Sequence, residues 1–465
     1  MEKKNVWEKY QGERRQEVFD FGEGYKEFLS CCKTERECVT WLKARAEEAG
    51  FRDLNKVLNE GGKIVCGDKL YADNMGKALA LFVIGREPLE KGMNVLGAHI
   101  DSPRLDIKQI PLYEDTQMAF LDTHYYGGVK KYQWVALPLA LHGVIVKKDG
   151  TVVDVNIGEK AEDPVFGVSD LLIHLSAEQM EKKASLVIEG ENLDILVGSI
   201  PSVTSEEEKE QVKEAVKANI LNLLAEQYQI EEDDFLSAEI EAVPAGAARD
   251  YGFDRSMVMG YGHDDRVCAY PSFCAVLEAG ICEKTTACLL VDKEEVGSIG
   301  ATGMSSKFFE YVVNELLEAM GQHTPVAFQR AMSNSKVLST DVSAAFDPLF
   351  PNVAEKKNAS YMGKGLVFNK FTGSKGKSGC NDANAEYVAQ LRRIMDDNDI
   401  SFQMAELGKV DQGGGGTIAF LFAKYGMQVI DSGVSVLNMH APWEIISKGD
   451  LYEAKRGYTA FLKEA

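Results

Sequence analysis

Near the N-terminus, apolar positions recur at helical spacing through "YKEFLSCCKTERECVTWLKARAEEAG", and Gly50 follows as a stop. The pattern then changes. "KALALFVIG" and "MNVLGAHIDS" are near-continuous apolar runs of strand length, separated by the polar "REPLEKG", which predicts two strands of a mostly buried sheet. From about residue 109 the chain turns to short alternating strands, among them "LALHGVIVKKDGTVVDVNIG" with a Lys-Asp-Gly hairpin turn at 148–150. "SEEEKEQVKEAVKANILNLLAEQYQ" predicts a helix whose glutamates sit at its N-terminal end, followed by the strand-like "SAEIEAV". After about residue 245 strands and helices alternate again. The reading is an α/β domain of residues 1–108 and 245–465, interrupted by a β-rich domain of residues 109–244, with no internal repeat and no low-complexity linker.

Composition narrows the class. A chain of 465 residues with 45% hydrophobic content can bury a sizeable core, which excludes a disordered protein. No apolar run reaches the ~18 residues of a membrane span, and the N-terminal "MEKKNVWEKYQGERRQEVFDFGEGYKEF" is charged and amphipathic, so a cytoplasmic protein is expected. The 9 cysteines show no paired C-x-x-C spacing and are read as reduced core thiols. A formal net charge of −21 argues against nucleic acid and against an anionic membrane surface as partners.

Candidate chemistry gathers where apolar runs end. "CLLVDKEEVGSIGATG" places Glu294 and Glu295 just past a strand-like run that closes at Val291. Neighbouring residues on extended backbone point to opposite sides, so one carboxylate could hold a metal while the other moves a proton. Alone, the pair also fits a solvated strand end. In "VLGAHIDSPRLDIK", His99 and Asp101 share a face at i, i+2, so the carboxylate can take the second imidazole N–H while the other nitrogen meets a metal. Asp264 and Asp265 in "GYGHDDRVCAY", Asp341 in "LSTDVSAAFDP" and His440 in "SVLNMHAPWEIIS" extend the set, although each also fits a cap or a satisfied polar group. If the strands share one sheet, their ends converge. Histidines and carboxylates without cysteine suit Zn²⁺, Co²⁺ or Mn²⁺ rather than copper or an iron–sulfur cluster.

The segments "GAHIDSPRLDIK", "THYYGGVKKYQW", "GHDDRVCAY", "DKEEVGSIGATG", "STDVSAAFDPLFP", "KGKSGCNDANAEY" and "GVSVLNMHAPWE" resemble, in order, the motifs of the M18 aminopeptidases, relatives of aspartyl aminopeptidase and yeast aminopeptidase I. The likeness covers nearly the whole chain and is closer to a bacterial branch. It implies a di-zinc exopeptidase-like αβα catalytic domain with an inserted β-rich dimerisation domain. It further implies two divalent metals, one held by His99 and Asp341, the other by Glu295 and His440, with Asp264 bridging. Glu294 is then the general base, Asp101 orients His99, and the Asp264–Asp265 peptide is cis. The implied reaction is hydrolysis of an N-terminal peptide bond by metal-activated water. The resemblance also implies dimers, a dodecamer, and His174 of "SDLLIHLSAEQM" reaching a neighbouring subunit's site.

Around this centre the reading is coarser. "DQGGGGTIAF" lacks the Lys-Ser/Thr ending of a phosphate loop, so Gly415, Gly416 and Thr417 are read as substrate-pocket backbone. Lys375 and Lys377 are candidates for substrate carboxylates or are solvated. His124, His142, His263 and His323 lack partners at ligand spacing. The residues leave the preferred N-terminal amino acid open. A di-metal deacylase or amidase on small N-acyl substrates could use the same ligands, and a non-catalytic assembly protein on this fold should lack one of them.

Overall fold

A computed structural model describes residues 4–202 and 213–465. The chain divides into two compact units. One comprises Met1–Ser102, Ala248–Met439 and Glu444–Ala465, the other Pro103–Ala247 with His440–Trp443. The second unit begins at Pro103, ahead of the expected 109, because a single long strand, Arg104–Asp115, runs through that position.

The first unit is built on a nine-stranded sheet. Its spatial order is Arg52–Asp53, Lys69–Asn74, Ala78–Val83, Thr285–Val291, Met93–His99, Lys336–Thr340, Gln428–Gly433, Leu366–Asn369, Phe402–Ala405. The near-continuous apolar runs have a simple cause: both faces of this sheet are covered. Leu79, Leu81, Leu96, Ala98, Cys288 and Leu290 join one core cluster, whereas Ala80, Phe82, Val95, Ala287, Leu289 and Val291 join another. Alternate side chains of a strand leave on opposite faces, so two cores on one sheet give three layers. The helices Glu13–Cys31, His263–Ala279 and Lys448–Glu464 supply the first cluster, and Phe308–Ala319 the second. Ala78–Val83 and Met93–His99 are consecutive strands of the chain, as expected, and in the sheet Thr285–Val291 lies between them and pairs with both.

The helical stretch expected to run to Gly50 is two helices. The first ends at Cys31, and Thr34 starts the second, Glu35–Glu48, through a capping box in which Thr34 and Glu37 exchange hydrogen bonds. Gly50 lies past its end with φ +87°, as a helix stop requires. A smaller five-stranded sheet, also in this unit, joins Arg249–Tyr251, Met257–Gly260, Glu444–Ser447, Ser435–Leu437 and Ser343–Ala344.

The second unit carries a six-stranded sheet that includes Leu139–Val146 and Val152–Ile157, the two sides of the predicted hairpin, and Ala238–Pro244. The predicted helix is found over Ala215–Tyr228, while most of its glutamate-rich start, residues 205–212, lies outside the described residues. All cysteines are free thiols; Cys31 and Cys66 stand at the surface, so not every one is a core thiol. No helix among the described residues is long and apolar enough to cross a membrane.

Candidate metal centre

Three adjacent parallel strands of the nine-stranded sheet, Thr285–Val291, Met93–His99 and Lys336–Thr340, end side by side. His99 closes the middle one, Asp341 follows the third, and Glu294–Glu295 form a short 3-10 turn just past the first. Asp264 arrives differently. It follows Met257–Gly260 of the five-stranded sheet, and His440 likewise follows that sheet's Ser435–Leu437 strand, so the ligand-bearing strands do not all belong to one sheet. Asp264 and Asp265 sit in the opening turn of His263–Ala279, joined by a cis peptide as the resemblance implies. Gly262 just before them has φ +76°, and a Cβ there would stand 1.7 Å from Arg266 Nη1. The space it leaves lets the buried Arg266 guanidinium donate to the Lys33 carbonyl at 2.7 Å, tying this turn to the connection between the first two helices.

The chemistry-bearing atoms converge. His99 Nε2 is 3.1 Å from Asp264 Oδ1, 4.0 Å from Glu294 Oε2 and 4.0 Å from Asp341 Oδ1. Two groups have ligand atoms within 4.8 Å of one another: His99, Asp264 and Glu295, and His99, Asp265 and Asp341. Asp101, fully buried, organises them. His99 Nδ1 faces two acceptors, Asp101 Oδ1 at 3.2 Å and the Asp101 carbonyl at 3.0 Å, so this nitrogen carries the proton and Nε2 points to the cluster. The same carboxylate accepts the backbone N–H groups of Glu294 at 3.1 Å and Glu295 at 3.2 Å, which fixes the turn that aims the two glutamates.

Three contributors lie beyond the ligand set that the resemblance implies. Asp265, a candidate in the sequence but given no role by the resemblance, falls in a group with His99 and Asp341. Glu444, buried, accepts the Asp264 backbone N–H at 3.0 Å, and Ser102 Oγ donates to the Asp264 carbonyl at 2.6 Å. The adjacent aspartates were a visible signal for the first; nothing in the local sequence signals the other two.

The electrostatics fit a cation. Burial raises Asp265 well above the carboxylate range, and the Asp264 charge adds to this. Burial and the charges of Asp265 and Glu294 do the same to Asp341. Burial opposes protonation of His99, yet hydrogen bonds to Asp101 and Asp264 and the charge of Glu294 outweigh it and hold its pKa well above the usual value. Both Asp265 carboxylate oxygens are buried without a hydrogen-bond partner among the described residues. Crowded carboxylates around one imidazole repel each other as anions, and divalent cations would remove that repulsion. The N/O donor set is one that suits zinc.

His440 has φ +65°, and its Nδ1 lies 2.9 Å from the Gly128 carbonyl, an acceptor that puts the proton on Nδ1; it falls in neither of the two ligand groups. His174 is exposed on a short turn, Ile173–Leu175, beside exposed Leu171, Leu172, Ile173 and Leu175. Lys377 pairs with Asp382 at 2.9 Å and covers the Phe371 ring, and Lys375 is exposed in the same loop. Gly415 N donates to the Thr372 carbonyl at 3.0 Å, Gly416 is exposed, and Thr417 Oγ1 donates to Asp431 at 2.6 Å. His263 is structural. Burial lowers its pKa to about 3, and it is held between Tyr25 Oη and the Val258 carbonyl.

Residues 28–462 match the family model described as aminopeptidase I zinc metalloprotease (M18). A probable M18 family aminopeptidase 1 of Clostridium acetobutylicum is 63% identical over 99% of this chain and 98% of its own length. The crystal structure of an M18 aminopeptidase from Thermotoga maritima superposes with a TM-score of 0.94 at 44% identity, covering 100% of both chains. At 19% identity, a Saccharomyces cerevisiae aminopeptidase solved as a dodecamer shares the fold, with a TM-score of 0.76 over 95% of this chain and 96% of that one. The N-acyl deacylase alternative finds no support among these relatives.

Proposed function

The chain belongs to the M18 family of zinc metallo-aminopeptidases, and from that premise we propose that His99 and Asp341 hold one divalent cation, Glu295 and His440 the other, and Asp264 bridges them. The activity is metal-dependent removal of N-terminal residues from peptides. When bound, the two cations supply an activated water and polarise the scissile carbonyl. Glu294 takes the proton of the attacking water and returns it to the leaving amine. Asp101 keeps His99 in its Nδ1–H tautomer and holds both glutamates in register, so that one side chain serves as ligand and its neighbour as base. The observation that carries this division is that Glu295 falls into a ligand group with His99 and Asp264, while Glu294, 4.0 Å from His99, falls into neither group.

The family's zinc fits the donor set, with Co²⁺ or Mn²⁺ as alternatives. Gly415, Gly416 and Thr417 line the substrate, and Lys375 and Lys377 stand at its rim. The unit from Pro103 to Ala247 mediates self-association, because an exposed run of Leu171, Leu172, Ile173 and Leu175 is costly to leave in water. Dimers formed through it assemble to a dodecamer, the state of the yeast structure that shares the fold. In the dimer His174 donates to the substrate carbonyl oxygen of the partner's site. The absence of nucleic-acid and membrane partners agrees with the net charge of −21, and the location is cytoplasmic.

The test is metal analysis joined to hydrolysis of aminoacyl and N-acyl chromogenic substrates. Chelation should abolish cleavage of aminoacyl substrates, and Zn²⁺, Co²⁺ or Mn²⁺ should restore it. Full activity in a verified metal-free preparation contradicts the proposal, as does a preference for N-acyl substrates.

A further inference from the structure

Asp431 is a buried carboxylate that the reaction above does not use. It lies on Gln428–Gly433, flanked in register by Ser339 on one neighbouring strand and Asn369 on the other. Register partners share a face of the sheet. On that face Gly97, the partner of Ser339, would bring a Cβ within 2.6 Å of Phe422, so the short helix Ala419–Ala423 lies directly over it. Thr417 just precedes this helix. Its hydroxyl donates to Asp431 Oδ1 at 2.6 Å and accepts the Ala419 N–H at 3.3 Å. The other Asp431 oxygen, Oδ2, has no hydrogen-bond partner among the described residues. A single hydroxyl therefore links a carboxylate in the sheet to the end of the glycine run Gly413–Gly416, whose last two members, Gly415 and Gly416, are exposed.

We propose that Asp431 is a positioning residue for peptide binding: through Thr417 it fixes the C-terminal end of the glycine-rich loop and so sets the apparent affinity for substrate. This rests on the reading of Gly415–Thr417 as substrate-pocket backbone. Upstream the loop is fixed separately: Gly413 N donates to the Lys409 carbonyl and Gly415 N to the Thr372 carbonyl, and Gly413 and Gly414 lie so close to Leu407 and Ser374 that a Cβ would clash, which leaves Gly416 and Thr417 to the Asp431 anchor. Glycines contribute no side-chain packing of their own, so an anchor at one end governs where the backbone lies.

The anchor titrates in a useful range. Burial pushes the Asp431 carboxyl up to about 7, against the opposing pull of the Thr417 hydroxyl. The groups facing it, Ser339 and Asn369 from the flanking strands and Thr417 from the loop, are all neutral. Above that value the carboxylate is ionised and the Thr417 bond is charge-assisted; below it the bond is between neutral partners and weaker. KM should therefore rise as pH falls through about 7.

The experiment measures kcat and KM of the metal-loaded full chain on one aminoacyl chromogenic substrate, from about pH 6 to 8.5. Asp431→Asn should raise KM about 5- to 10-fold at the alkaline end, flatten its pH dependence, and leave kcat within about twofold. Thr417→Val should reproduce the raised KM and Thr417→Ser should restore it, a rescue that global destabilisation does not produce. Gly416→Ala separates the two layers of the argument, since a Cβ at Gly416 has nothing within 4 Å to strike. A raised KM in Gly416→Ala with a wild-type KM and pH slope in Asp431→Asn overturns the anchor. An unchanged KM in Gly416→Ala overturns the substrate-loop reading beneath it.

Discussion

The metal centre and the His174 segment make opposite use of the same chain. Around His99 much of the backbone that carries the candidates is held from other elements: Asp101 grips the glutamate turn, Glu444 grips the Asp264 N–H, and the cis turn is tied down through Arg266. Residues 171–175 present four large apolar side chains and a histidine to water on a single short turn. The first arrangement is complete enough to define its own geometry. The second makes physical sense only when something covers it, and a second copy of the chain is the proposed cover. Backbone ties thus mark where charge must be placed closely, and exposed apolar surface marks where the proposed assembly puts another subunit.

The sharpest way to break this contrast lies within the centre. Glu294→Gln should keep both metals yet lose about 10² to 10⁴-fold in turnover, while Glu295→Gln should lower metal content; measured metal stoichiometry with kcat decides, and a reversed outcome would exchange their roles. Asp101→Asn comes next. It removes one acceptor from a carboxylate that serves three donors, so metal affinity should fall by about 10- to 100-fold in a chelator competition. In the other region, Ile173→Asp should shift sedimentation toward smaller species with metal content unchanged, and an unaltered assembly would remove the apolar turn from the interface.

The smallest effect sharpens what burial of carboxylates costs the first unit. Asp450 accepts the Gly363 and Gly365 N–H groups at 2.6 and 2.7 Å, and burial pushes its carboxyl up to about 7 from 3.8. A raised folded-state value means the contribution is full below the unfolded pKa and is lost as pH rises through about 7. The melting temperature of Asp450→Asn relative to wild type should therefore shift in the variant's favour between about pH 5 and pH 8. A difference that is flat or moves the other way removes the Asp450 titration.

Much of this was legible because both faces of the main sheet are buried, which writes strands as unbroken apolar runs with charge at their ends. His99, Asp341 and the Glu294–Glu295 pair could be found that way. Strand order could not, since Thr285–Val291 inserts between two strands that are neighbours in sequence, a choice made by packing across two hundred residues. Nor could the sheet that carries the strands before Asp264 and His440 be read, because a short strand looks alike in either sheet. The helix break at Cys32–Thr34 had a local signal, Thr34-x-x-Glu37, masked by apolar periodicity that continues across it. Glu444 and Ser102 act through backbone groups far away in sequence, and no local pattern encodes such a partnership.

The contrast between a self-sufficient centre and a dependent segment is tested most directly by mixing two defective variants. His174→Ala should be folded, metal-loaded and slowed by about 10² to 10³-fold, the usual consequence of losing one oxyanion donor. Glu294→Gln should be nearly inactive for a separate reason. When the two exchange subunits, each mixed dimer holds one site with both residues and one with neither, so activity should partly return. No recovery, with subunit exchange demonstrated independently, would mean that His174 serves its own chain or takes no part in the chemistry.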